Sequence, residues 1–103
     1  MIKEVNALEF AEELSEGLVL ADFFSQTCGP CKMLGFILRD VEKEIGDAVK
    51  ILKVDFDKNG DLIKAYQVTG YPTMILFKNG NELARMQGLQ QKTKIFKLID
   101  ENK

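Results

Sequence analysis

Cys28 and Cys31 are the only cysteines in a chain of 103 residues, and they stand three apart, a spacing that roughly 2% of random placements would give. Residues at that interval on a helix have β-carbons about 5 to 6 Å apart, so small adjustments reach the ~4 Å that a disulfide requires. A pair so placed can close and open reversibly, which is the chemistry of thiol–disulfide exchange. The reactive species is the thiolate, and at pH 7 a thiol of pKa ~8.5 is only about 3% ionised. Cys28 precedes Gly29-Pro30 at the expected start of a helix. There, unpaired backbone N–H groups and the helix dipole favour the thiolate. Cys31, one turn further in, gains less from the dipole and is expected to be the more buried. The division of labour is then an attacking Cys28 and a resolving Cys31.

Other uses of the pair are less well supported. A structural disulfide closing four residues would constrain little of the unfolded chain. An intrachain zinc site needs four ligands, and the sequence has no second cysteine pair and no histidine, which leaves only a metal bridging two chains. The absence of histidine also removes the commonest proton carrier near neutral pH. Asp22 stands inside the apolar run Val19 to Phe24, where it is either a strand-end residue in water or a desolvated carboxyl with a raised pKa, able to accept a proton. Lys53 either faces Asp22 from a neighbouring strand or extends along the surface to water. Asp55-Phe56-Asp57-Lys58-Asn59-Gly60 matches the first half of a calcium-binding loop, but Tyr66 occupies the twelfth position where a bidentate Glu is required, so a solvated turn and helix cap is expected there.

The elements that must position these residues alternate between strand and helix. Ile2 to Val5 predicts a short strand. Asn6-Ala7-Leu8-Glu9 has the pattern of a capping box opening a helix through about Ser15, with Ala7, Phe10, Ala11 and Leu14 on one face and Gly17 as its stop. The run Leu18 to Phe24 reads as a central strand covered on both faces. Leu34, Ile37, Leu38, Val41 and Ile45 predict a long amphipathic helix ending near Gly46, with the cysteines in its first turn. Val49 to Asp55 predicts a strand completing a βαβ unit with a right-handed crossover. Asn59 or Asp61 is expected to cap a short helix, and Thr69-Gly70-Tyr71-Pro72 marks a turn. Two strands, Thr73 to Lys78 and Glu82 to Met86, join through Asn79-Gly80, and a final helix brings Ile95, Leu98 and Ile99 together. One α/β domain over residues 1–103 is expected, with a single sheet covered by helices.

Hydrophobic residues are 46% of the chain and charged residues 29%, enough apolar material for a core. Fourteen Lys and Arg against sixteen Asp and Glu give a net charge of −2 with no run of basic residues, which argues against nucleic acid as a partner. No apolar run approaches the ~20 residues of a membrane helix, and the amino terminus does not open like a signal peptide. A soluble, cytoplasmic protein is expected, with no metal or cofactor of its own.

Leu20-Ala21-Asp22-Phe23-Phe24 followed by Cys28-Gly29-Pro30-Cys31-Lys32-Met33, then Lys53-Val54-Asp55, Tyr71-Pro72-Thr73 and Lys78-Asn79-Gly80, resembles the thioredoxin family over essentially the whole chain, through the order and spacing of all these segments together. The resemblance implies a thioredoxin fold, a five-stranded mixed β-sheet flanked by four α-helices. It also implies a monomeric protein-disulfide reductase acting on disulfide-containing target proteins and recharged by a thioredoxin reductase. Carried over residue by residue, Cys28 is the attacking and Cys31 the resolving cysteine, and Gly29-Pro30 is the dipeptide that sets a strongly reducing potential. Asp22 is the buried acid that takes the Cys31 proton, Lys53 the lysine that tunes it, and Pro72 a cis-proline facing the disulfide. Thr27, Gly70, Tyr71 and Gly88 then line the groove for an extended target peptide. Thr27 stands where the family commonly has tryptophan, and Phe36 where it commonly has a helix-kinking proline. Two competing readings are a redox-inert interaction subunit that keeps only the groove, and a glutaredoxin-like enzyme reduced by glutathione. Gly29-Pro30 is not the dipeptide that the glutaredoxin family favours.

Overall fold

Strand β2 (Leu18–Phe24) is the axis of the computed structural model, which describes residues 1–103. In chain order the elements are β1 (Ile2–Glu4), α1 (Ala7–Leu14), β2, α2 (Gly29–Ile45), a 3-10 turn (Gly46–Ala48), β3 (Val49–Asp55), α3 (Gly60–Ala65), β4 (Thr73–Lys78), β5 (Asn81–Gln87) and α4 (Lys92–Glu101). The five strands form one sheet in the order β1-β3-β2-β4-β5. β1 and β2 run parallel to β3, whereas β4 runs antiparallel to β2 and to β5. The sheet is therefore mixed, and with its four α-helices it has the architecture that the resemblance implies.

Successive side chains of a strand point to opposite faces, and that period of two sorts the core into two layers. Val19, Ala21 and Phe23 of β2 join Phe10 and Leu14 of α1, Leu52, Val54, Ile75 and Phe77 on one face. Leu20 joins Leu34, Leu38 and Val41 of α2, Ile95 and Ile99 of α4, and Val49, Ile51, Met74 and Leu76 on the other. Asp22 and Phe24 share the parity of Leu20, and Lys53 that of Val49 and Ile51. Both polar residues therefore belong to the face covered by α2, the helix that carries the cysteines.

Local details depart from expectation in four places. On α1 only Phe10 and Leu14 are buried, whereas Ala7 and Ala11 are exposed. The packing stripe is thus narrower than the sequence suggested, because two bulky side chains suffice to fill the layer. The capping box of α1 is present, with Glu9 N–H donating to Asn6 Oδ1 at 2.9 Å and Asn6 N–H to Glu9 Oε1 at 3.1 Å. At α3, Asn59 holds the N-cap position but caps nothing, because its side-chain amide donates instead to the Asp55 carbonyl at 2.9 Å. Strand β1 ends at Glu4, and β5 extends one residue beyond its expected limits at each end. The Asn79-Gly80 turn is formed with both residues at positive φ, 49° and 85°, the conformation that lets a two-residue loop follow the strand twist. Its tip is fastened to the turn after α1, with Gly17 N–H donating to Asn79 Oδ1 at 2.8 Å and Asn79 N–H to the Gly17 carbonyl at 3.0 Å.

Candidate functional site

The register of the sheet gathers three loops at one edge. Phe23 pairs with Thr73, and Thr73 with Gln87. The segment after β2, the segment before β4 and the segment after β5 therefore open side by side, carrying Cys28, Pro72 and Gly88 respectively. In open α/β sheets such an edge, at the carboxyl ends of parallel strands, is where ligands bind.

Cys28 is the N-cap of α2, with extended backbone angles of φ −98° and ψ 114°, and its sulfur accepts the Cys31 N–H at 3.1 Å. The sulfur thus takes the place of the oxygen in an ordinary Ser or Asp cap. Pro30 lies in the first turn of α2, where a missing N–H leaves no helical bond unmade. Cys28 and Cys31 are joined in a disulfide, their Cα atoms 5.2 Å apart. Both pack with Phe24, and Cys31 is the more buried of the two, 2% exposed against 8%.

Asp22 has no accessible surface, and neither carboxylate oxygen has a hydrogen-bond partner. Its neighbours in register are Met74 on β4 and Lys53 on β3. Burial pushes its pKa from 3.8 up to about 7, and the positive charge of Lys53 limits the rise. Of the two possibilities for Asp22 in the sequence, the desolvated carboxyl is the one that forms. Lys53 is half-buried, and its ammonium lies 4.5 Å from the centre of the Phe24 ring, close enough for a cation–π contact. A small recess of about 110 Å³ behind the disulfide is lined by Phe24, Ser25, Gln26, Cys31, Lys32 and Lys53. That is ample for a water molecule.

On the opposite wall, the Tyr71-Pro72 peptide bond is cis. The Gly70 carbonyl accepts the Thr73 hydroxyl at 2.8 Å, and Gly88 N–H donates to the Pro72 carbonyl at 2.8 Å. Gly88 has φ +82°, and a β-carbon built there would meet nothing within 4 Å. The residue is glycine for its backbone conformation, and it leaves open space beside the main chain. Tyr71 is 44% exposed and rests edge-on against Phe56, with ring centroids 5.1 Å apart. Thr27 is exposed, its hydroxyl 3.4 Å from that of Ser25.

Some supporting residues escaped the sequence reading. Phe56, which carries Tyr71, lay within the calcium-like segment. Ser25 is buried and its hydroxyl donates to Asp57 at 2.9 Å, and Asp55 accepts the Asp57 N–H at 2.9 Å and the Gln26 amide at 3.3 Å. These acids tie the loop before Cys28 to the end of β3. Arg85, paired with Glu82, donates to the Tyr66 carbonyl at 2.9 Å and closes the end of α3. No local signal marks the contacts of Ser25 with Asp57, Gln26 with Asp55, Phe56 with Tyr71 or Arg85 with the Tyr66 carbonyl, because each joins segments distant in the chain.

A sequence model of the thioredoxin family matches residues 1–101. Among curated relatives, a thioredoxin of Chlamydia trachomatis serovar D is 43% identical over 102 residues, covering 99% of both chains. A thioredoxin of Bacillus subtilis strain 168 is 38% identical over 93 residues, 90% of this chain and 89% of the relative. Among solved structures, a single-site mutant of a thioredoxin from Halobacterium salinarum NRC-1 superimposes with a TM-score of 0.88 at 30% identity, over 97% of this chain and 88% of the other.

Proposed function

Because the chain belongs to the thioredoxin family and joins Cys28 to Cys31 in a disulfide, we propose that it works as a general protein-disulfide reductase, a thiol–disulfide oxidoreductase that carries two electrons per cycle. The observation that carries this reading is the Cys28 sulfur at the start of α2, accepting the Cys31 N–H at 3.1 Å. The groups that hold it there also favour a thiolate.

In the reduced protein the Cys28 thiolate attacks one sulfur of a target disulfide, which breaks the target S–S bond and releases one target thiolate. The Cys31 thiol then loses its proton, relayed by a water, to the Asp22 carboxylate. The Cys31 thiolate attacks the Cys28 sulfur and expels the second target thiolate, and the two target thiolates take up protons from Asp22 and solvent. The target gains two electrons and the protein is left in the disulfide form. A pKa of about 7 suits Asp22 to this task, since a group titrating near the working pH can both accept and return a proton. Lys53 tunes that carboxyl, and Gly29-Pro30 sets the potential of the pair.

Targets reach the disulfide as extended segments over Tyr71-Pro72 and Gly88. Neither the N–H nor the carbonyl of Tyr71 has a main-chain partner within the protein, so both are free to pair with a peptide strand. Thr27 in place of a large aromatic makes the opposing rim smaller and more polar. A thioredoxin reductase returns the protein to the dithiol, and the protein acts as a monomer in the cytoplasm. The test is reduction of insulin by the dithiol-charged protein. Wild type should turn over, Cys28→Ser should not, and Cys31→Ser should accumulate a mixed disulfide at Cys28. Turnover by Cys28→Ser, or no covalent complex with Cys31→Ser, overturns the reading.

A further inference from the structure

Seven of the fourteen lysine and arginine side chains sit in ion pairs. Of the seven that do not, four lie on one face: Lys32, Arg39 and Lys43, spread along α2 from the turn that holds Cys31 to its last turn, and Lys53 of β3. At about 100° per residue, positions 32, 36, 39 and 43 fall within roughly 60° of arc, so Lys32, Phe36, Arg39 and Lys43 form one stripe. Gly35 flanks that stripe, and the Lys53 ammonium comes within 3.7 Å of where a side chain at Gly35 would begin, which brings a fourth cation against the helix. Phe36 is 61% exposed, and the Arg39 guanidinium lies 5.4 Å from its ring centre. Lys32, Gly35, Phe36, Arg39 and Lys53 together line a recess of about 230 Å³. A second recess shares Lys32 and Lys53 with it and reaches Cys31.

The nearby acids offset this face only in part: Asp22, beside Lys53 in the sheet register, is fully buried and held toward its neutral form by that burial. Glu42 is held by the amino terminus at 2.8 Å and Glu44 by Lys92 at 3.1 Å. Asp40, three residues before Lys43 and on the flank of the stripe away from Gly35, makes no ion pair with it. A chain of net charge −2 thus gathers four cations that make no ion pair along the face of α2 that carries the exposed Phe36 ring, on the β3 side of the disulfide.

We propose that this face docks acidic segments of the disulfide-bearing target proteins, with carboxylates seated among Lys32, Arg39, Lys43 and Lys53, so that targets with Asp or Glu flanking the reactive disulfide are reduced preferentially. The proposal rests on the reductase reading and specifies its substrate class. Complementary charge at the rim of an interface raises the rate of encounter and fixes orientation, while the ring of Phe36 supplies apolar contact. The mechanism adds no chemical step.

The test compares two disulfide-bonded peptides identical except for three Glu or three Gln flanking the cysteines, with bis(2-hydroxyethyl) disulfide as an uncharged reference. At low salt kcat/KM should favour the Glu peptide by about tenfold, the order expected of several exposed ion pairs acting together. The preference should collapse at ~0.5 M salt and reverse in Arg39→Glu/Lys43→Glu, two exposed positions whose exchange leaves reduction of the uncharged disulfide intact. No preference for the Glu peptide in wild type, or a preference that survives salt or the double reversal, overturns the docking proposal. Failure to reduce the uncharged disulfide would instead refute the reductase reading on which it rests.

Discussion

Replacing Asp22 with asparagine should make the disulfide form of the protein more stable, by an amount that grows with pH. Asp22 is fully buried and its oxygens have no hydrogen-bond partner, so ionising it in the folded state means holding a charge in an apolar layer with only Lys53 to offset it. The rise from 3.8 to about 7, at about 1.4 kcal/mol per pH unit, corresponds to about 4 kcal/mol. Well below pH 4 the carboxyl is protonated in both folded and unfolded chains, so wild type and the asparagine variant both carry a neutral polar group of similar shape. The two proteins should then differ little. As pH rises from about 4 to about 7, the unfolded chain has released its proton while the folded one retains it. Wild type therefore loses stability relative to the variant, and the difference levels off above pH 8. Urea unfolding of both oxidised proteins at pH 4, 5.5, 7 and 8.5 measures this directly. Far-UV circular dichroism is the suitable probe, because the chain has no tryptophan. A constant offset would reflect only the unpaired amide, so the slope is the decisive quantity. A difference independent of pH, or one that favours wild type as pH rises, would refute the assignment of Asp22 as a desolvated carboxyl.

The same Asp22→Asn variant should resolve mixed disulfides about a hundredfold more slowly, the low end for loss of a positioned proton acceptor. Its rate should also lose the inflection near pH 7, as followed by stopped-flow release of a target thiol. Gly88→Ala forces a side chain into a φ of +82° and should cost about 1 kcal/mol in chemical denaturation. Because it also narrows the peptide groove, KM for insulin should rise severalfold more than KM for a small disulfide. Asn79→Ala removes the bond to Gly17 and a residue tolerant of positive φ. It should lower stability by about 1 to 2 kcal/mol and leave insulin reduction unchanged, since the hairpin tip lies at the far end of the sheet from the cysteines.

The cysteine spacing, the strand–helix alternation and the Asn79-Gly80 turn were all legible in the sequence, because each depends on residues close together in the chain. A thiol three residues from another, an apolar run seven residues long or a turn needing positive φ carries its physical requirement locally. Asp22 and Lys53 were different. Sequence leaves the carboxyl either wet or dry and the lysine either inward or outward, since both outcomes depend on the register of β2 with β3 and on the lid formed by α2. The failed cap at Asn59 is a local competition instead: its amide found the Asp55 carbonyl four residues back, one of two nearby main-chain partners between which composition does not choose. Nor could sequence show that Lys32, Arg39, Lys43 and Lys53 share one face, because a lysine on β3 joins three cations on α2 only when the sheet and helix are packed. Local sequence chose the chemistry, and long-range packing decided which charges were stripped of water and which were left together at the surface.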